Sequence, residues 1–348
     1  MTNSALNHLA ETVQYNCNIS DARHGADYSL CIYLMKMREY FRWEQRLPFG
    51  APLERQQVGE WLQAREQLWE QLEQAELRPI EIDGQCYDPF DADAINTELM
   101  PQGLVYSGGL GGGAKPHFVL GDLERHQREG DQSVFIVASE YARDLAAPPA
   151  MTLGQNIFVR RESLRRMLWE KLESWRWNRP DNALGRAFAC YDFDEALDAS
   201  LDAMTDQQIQ TLLLHEQGEV LAGQQLGDTW GAMLQDLAGT PAEIMARAVR
   251  DHLADCLVTL PTLAEQAETA SIDFFLGQLT SMRKEIFPSL QQVYLDWLGD
   301  GRLEGFNEIS ARGRTHWLGL AQSMLEIHRK QGVESAQSIR ELVLAQPL

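Results

Sequence analysis

The 348-residue chain lacks every cysteine arrangement that signals a disulfide framework or a thiolate metal site. Its five cysteines, Cys17, Cys31, Cys86, Cys190 and Cys256, are odd in number, scattered and form no CxxC pair. Long apolar runs are missing too: none approaches the roughly 18 residues of a membrane span. The opening MTNSALNHLAETVQYNCNIS has no basic segment followed by an apolar one, so no secretory leader is expected. Positive charge is scarce. With 30 Lys and Arg against 51 Asp and Glu, the net charge of −21 repels nucleic acid. The one basic concentration, RRESLRRMLWEKLESWRWNR, is diluted by glutamates and reads as a helix face paired with acidic neighbours. Internal repeats are not visible. These absences point to a cytoplasmic protein that engages neither nucleic acid nor membrane.

What is present describes a globular chain, 44% hydrophobic and 23% charged. Three sections succeed one another and are expected to pack as one compact unit. Residues 1–77 read as helices, through DYSLCIYLMKMREYFRWEQ and, after the LPFGAP break, ERQQVGEWLQAREQLWEQLEQAE. Residues 78–160 read as strands. IEIDGQCY holds an Asp-Gly turn, LVYSGGLGGGAKPHFVLGDLE two strands around a glycine loop at 107–113, and QSVFIVASE and QNIFVRRES two more, which predicts a small antiparallel sheet. Residues 161–348 return to helices, among them FDEALDASLDAM, DQQIQTLLLHEQGEVLAGQQL, PAEIMARAVRDHLADCLVTL and LAEQAETASIDFFLGQLTSMRKEIF. The fold class expected is α+β, mainly α: a C-terminal helical bundle, with the sheet inserted after an N-terminal helical segment.

Three ionisable groups interrupt the apolar segment LLLHEQGEVLAGQQL. At 3.6 residues per turn, Leu212, His215, Glu219, Ala222 and Leu226 share one stripe and Glu216 borders it. The next helix repeats the pattern with Asp251 and Asp255 one turn apart, beside Arg250 and His252. Facing pairs of ligand-type side chains on adjacent helices are how bundles build carboxylate and histidine metal sites. This predicts a divalent iron, manganese or zinc ion on His215, Glu219, Asp251 and Asp255, with Glu216 as the catalytic proton acceptor of a hydrolase or oxidase acting on a small-molecule substrate. The competing reading is a metal-free interaction or scaffold protein, whose acids are held by Arg186, Arg247, Arg250 or Arg283. HEQGE departs from the zincin pattern HExxH, because Glu219 stands where the second histidine belongs, and the ferritin ExxH pair is absent.

Other motifs are weaker. Ser20 reads as the cap of a helix carrying Asp21, His24 and Asp27 in its first turns. SEYARDLAAPPAM places Glu140 and Asp144 as helix-start carboxylates, with Glu140 a further candidate ligand or base. Tyr33, Met37, Tyr40, Phe41 and Trp43 form an aromatic stripe expected in the core, and Cys31 and Cys256 read as core thiols. SGGLGGGAKPHF is no phosphate loop, since Lys115 is followed by Pro116 and a strand rather than a helix; a lid with His117 at its base is the alternative. Taken with the N-terminal stretch, SEYARDLAAPPAM, RRESLRRMLWEKLESWRW, HEQGE and RDHLADC resemble a family of uncharacterised bacterial proteins of similar length. The resemblance implies a bacterial cytoplasmic protein and carries no catalytic assignment. A homodimer is the base-rate expectation for assembly.

Overall fold

Helix formation starts at Thr2, whose side chain accepts the Ala5 N–H and opens α1 (Asn3–His24). Nothing between Thr2 and Gly25 breaks the helix, so Ser20 and Asp21 fall in its last turns, not in the first turns of a new one. The Ser20 hydroxyl donates instead to the carbonyl of Pro116. Helices α2 (Leu30–Glu44) and α3 (Arg55–Leu72) come next. Of the α2 stripe, Met37, Tyr40 and Phe41 are buried, whereas Cys31 is exposed and is no core thiol. The computed structural model describes residues 1–111 and 114–348, and these divide into two compact units, residues 1–170 and 171–348.

In the first unit, Asp83 and Gly84 take φ values of 50° and 82°, the mirror-image turn that Asp-Gly favours, and join β1 (Ile80–Ile82) to β2 (Gln85–Tyr87). After α4 (Ala92–Leu99) comes a five-stranded sheet of β3 (Leu104–Leu110), β4 (Pro116–Glu129), β5 (Gln132–Arg143), β6 (Ala150–Leu153) and β7 (Asn156–Arg160), in the order β3-β4-β5-β7-β6. Three of its pairs are antiparallel as expected; β5 and β7 run parallel. The cause is the segment after β5. It carries the chain past one strand position through Ala147 (φ 39°), Pro148 and Pro149, so β6 forms the edge and β7 returns into the gap. Strand β5 also runs through SEYAR, so Glu140 lies in a strand and not at a helix start. The glycine loop does join β3 to β4, but its tip, Gly112 and Gly113, lies outside the described residues. Leu9, Val13 and Cys17 of α1 pack on Tyr106, Phe118 and Leu120 of the sheet to form the core.

The unit boundary falls within α5 (Arg161–Asn178), and the chain beyond it is helical: α6 (Ala183–Ala189), α7 (Leu197–Leu226), α8 (Asp228–Asp236), α9 (Pro241–Ala254), α10 (Leu260–Gln266), α11 (Thr269–Gln278), α12 (Ser281–Ile286), α13 (Pro288–Asp300), α14 (Glu304–Gln331) and α15 (Ala336–Ala345). The two segments around Met204 are one helix of 30 residues, which stops at Gly227 with φ 70°. The long segment from Leu263 to Phe287 is instead cut into three, at Ala267 in the left-handed conformation and at Thr280, which caps α12. The fold is therefore α+β and mainly helical. Among the described residues no helix is long and apolar enough to cross a membrane.

Candidate functional site

Gly218 sets the distance between the two helices that carry the ionisable stripes. A Cβ there would lie 2.4 Å from the carbonyl oxygen of Ala254, so α7 and α9 approach more closely than any other residue permits. Beyond Ala254 the helix widens into a π turn, Asp255–Thr259, in which the Leu260 N–H donates to Asp255 five residues back. Pro261, one position on, supplies no N–H and its ring crowds the preceding turn; the wide turn accommodates it. Asp255, fully buried, opens this turn and faces α7.

Across that contact His215 Nδ1 lies 2.8 Å from Asp255 Oδ1, and the Arg283 guanidinium of α12 donates to the other oxygen. Burial alone would push the Asp255 carboxyl up, but Arg283 and His215 hold it below the ordinary range. Against its own burial, His215 is raised well above the usual imidazole value by Asp255 and Glu219. His252 closes the back of the network. Its Nε2 lies 2.9 Å from the Arg283 backbone oxygen, its ring stacks on Trp317 and meets Phe287 edge-on, and burial lowers its pKa to about 3, leaving it neutral.

The other imidazole nitrogen, Nε2, points to Glu219, 3.6 Å away, and one ligand atom each of His215, Glu219 and Asp251 lie within 4.8 Å of one another. This is the site's open side: the three side chains are 25%, 15% and 23% exposed. Arg250 reaches Glu219 at 2.6 Å and passes 3.7 Å from Asp251. Despite burial, that guanidinium and His215 hold Glu219 below its ordinary pKa. Burial and neighbouring Glu219 push Asp251 up, against the pull of Arg283, His215 and Arg250, so Asp251 is the member least matched by positive charge.

The four ligand candidates thus come together, but not as equals. His215, Glu219 and Asp251 converge, while Asp255 stands behind the histidine and fixes which nitrogen faces them. Glu216 is buried on the neighbouring stripe, within the field of Arg250 and outside the converging trio. Of the four candidate arginines, Arg250 and Arg283 hold the acids; Arg247 pairs with Glu243, and Arg186 with Asp181 and Asp273. In the other unit Glu140 is bound by Arg160 and Ser163, His24 stands 3.6 Å from Asp27, and Arg161 of the basic stretch pairs with Glu124. Of the four arginines expected from the sequence, Arg283 is the one on Asp255; the π turn goes beyond that expectation, although Pro261 in a helical run is a signal for it.

Two family models cover the chain. One, for the C-terminal domain of a family of unknown function, DUF6866, matches residues 165–346. The other, for the N-terminal domain of that family, matches residues 8–160. The junction between them falls close to the boundary of the two compact units. No curated protein and no solved structure matches. With nearly its whole length matched by the two models, the chain belongs to the DUF6866 family.

Proposed function

We propose that the protein is a metal-dependent enzyme, a hydrolase or oxidase acting on a small molecule in the bacterial cytoplasm, with a divalent cation held by His215, Glu219 and Asp251. One observation carries this reading: an imidazole nitrogen and two carboxylates from two tightly packed helices close to within 4.8 Å on a solvent-accessible side. Asp255 acts on His215 as the carboxylate behind a metal-bound histidine does, holding the ring by Nδ1 and presenting Nε2. Arg250 balances the Glu219 carboxylate, and would have to release it for a cation to be held there. When bound, the cation supplies Lewis acidity toward water or dioxygen. Glu216 is the proton acceptor in this scheme. The cytoplasmic and bacterial placement is drawn from the motif resemblance.

The test is elemental analysis of the purified protein, followed by titration with Zn2+, Mn2+ and Fe2+. Stoichiometric metal that is lost in His215→Ala and Asp251→Asn, and bound about 10- to 100-fold more weakly in Asp255→Asn, is the expected result. Metal-free protein whose melting temperature moves with none of the three ions overturns it. A second reading is favoured by one specific feature: Arg250 on Glu219 and Arg283 on Asp255 already satisfy two of the acids. A metal-free interaction protein with a structural charge network then accounts for the site, and the same titration decides.

A further inference from the structure

The first unit holds a cavity of about 280 Å3, walled by the end of α1, the start of β4 and the segment after β5. Its lining combines three buried polar side chains, Asp21, His117 and Asp144, with apolar surface from Tyr28, Pro116 and Met151. Among the described residues, both ring nitrogens of His117 lack a protein partner, and so does Asp144 Oδ2. These residues are 5% and 2% exposed, which makes unmet polar atoms costly unless something fills the cavity.

The charge balance says what fills it. Asp21 accepts the Leu145 N–H and Asp144 the Ala147 N–H, but no lysine or arginine nitrogen among the described residues forms an ion pair with either. The nearby guanidiniums are engaged elsewhere: Arg160 and Arg143 face Glu140, and Arg166 donates to the Ala147 carbonyl. Lys115 is held by Asp27 at 2.7 Å. Two buried carboxylates and one nitrogen of the neutral imidazole therefore accept hydrogen bonds and ask for a positive donor, while the second ring nitrogen carries the N–H. Their ligand atoms do not close around a point: among the described residues the group that does is the trio of α7 and α9. A larger cation with several N–H donors fits that spread, and the Tyr28 ring, over which Lys36 and Lys115 already stand at 5.2 and 5.9 Å, supplies apolar wall for the rest of the molecule.

We propose that this cavity is a binding site for a small organic ammonium ion, a primary amine on a short apolar body, whose N–H donors reach Asp144, Asp21 and His117 while the body lies against Tyr28 and Met151. The probes are n-pentylammonium, benzylammonium and 1,4-diaminobutane, with n-pentanol as the neutral isostere of the first. Binding to the full chain is measured by calorimetry in about 0.15 M salt, where attraction to the acidic surface is screened. At least one amine is expected to bind one-to-one and raise the melting temperature while n-pentanol does neither. Asp144→Asn, which keeps shape and the Ala147 contact, weakens that binding at least about tenfold. Met151→Trp, which fills the apolar end without touching the acids, does the same and serves if Asp144→Asn fails to fold. Failure of all three amines, equal binding of n-pentanol, or affinity unchanged in the variants overturns the proposal.

Discussion

Each unit buries acids, and the two satisfy them by different means. In the helical unit Asp255 and Glu219 each carry a guanidinium, from Arg283 and Arg250, with His215 between them. In the sheet-containing unit Glu140 is treated the same way by Arg160, yet Asp21 and Asp144, also buried, accept from backbone N–H groups and, among the described residues, pair with no lysine or arginine. A carboxylate closed by arginines holds helices in place. One left beside a cavity, with an acceptor unfilled, is placed for a cation from outside. Asp251 is the intermediate case, at the rim of a matched network but with its pKa raised by burial and Glu219.

The sharpest way to break this contrast is to remove one acid of each kind. Asp255→Ala strands the Arg283 guanidinium and the raised His215 in the bundle, and urea unfolding followed by tryptophan fluorescence should show a loss of about 3–5 kcal/mol. Asp21→Asn removes a carboxylate that burial and Asp144 already disfavour. It should stabilise the ligand-free protein by on the order of 1 kcal/mol. Losses in both variants would erase the distinction.

Acid sharpens it next. Burial lowers His117 to about 4, with Asp144 opposing and Arg160 assisting. The unfolded imidazole binds its proton near pH 6.5 and the folded one does not, so stability is complete above about pH 6.5 and falls as pH drops toward 4, by up to about 3 kcal/mol. In His117→Gln this part of the slope should vanish from a pH series of unfolding midpoints; an unchanged slope would place the proton elsewhere.

The smallest effect compares two glycines of α7. Gly218→Ala drives a methyl group into the Ala254 backbone and should cost about 1–3 kcal/mol, whereas Gly223→Ala, in open space, should add up to about 1 kcal/mol of stability. Equal melting temperatures would deny the close approach on which the bundle site depends.

The site in the bundle is legible in the sequence because its members repeat at helical spacing. His215 with Glu219 and Asp251 with Asp255 fall on single stripes whatever the tertiary fold, and apolar neighbours point those stripes inward. Which arginine answers them is not legible, since Arg283 arrives on α12, separated from Asp255 by the π turn and two further helices. Local capping logic misplaces Ser20 and Glu140: both motifs occur, but α1 has already begun at Thr2 and β5 has not yet ended. The cavity of the first unit is invisible as a whole in the sequence. Asp21, His117 and Asp144 stand far apart along the chain, and only the packing of α1 against β4 and the segment after β5 brings them to one surface.

Composition, periodicity and turn chemistry alone determined the α+β class, the Asp-Gly hairpin, the strand pair around the glycine loop and the inward-facing acids of α7 and α9, because each depends on residues a few positions apart. Tertiary structure decided the parallel pairing of β7 with β5, the division of labour between Asp255 and Asp251, and which buried carboxylates have a counter-ion. These depend on groups tens to more than a hundred residues apart. Their distances are set by how elements pack, and a buried charge is stable or exposed to replacement according to partners that the local chain does not contain.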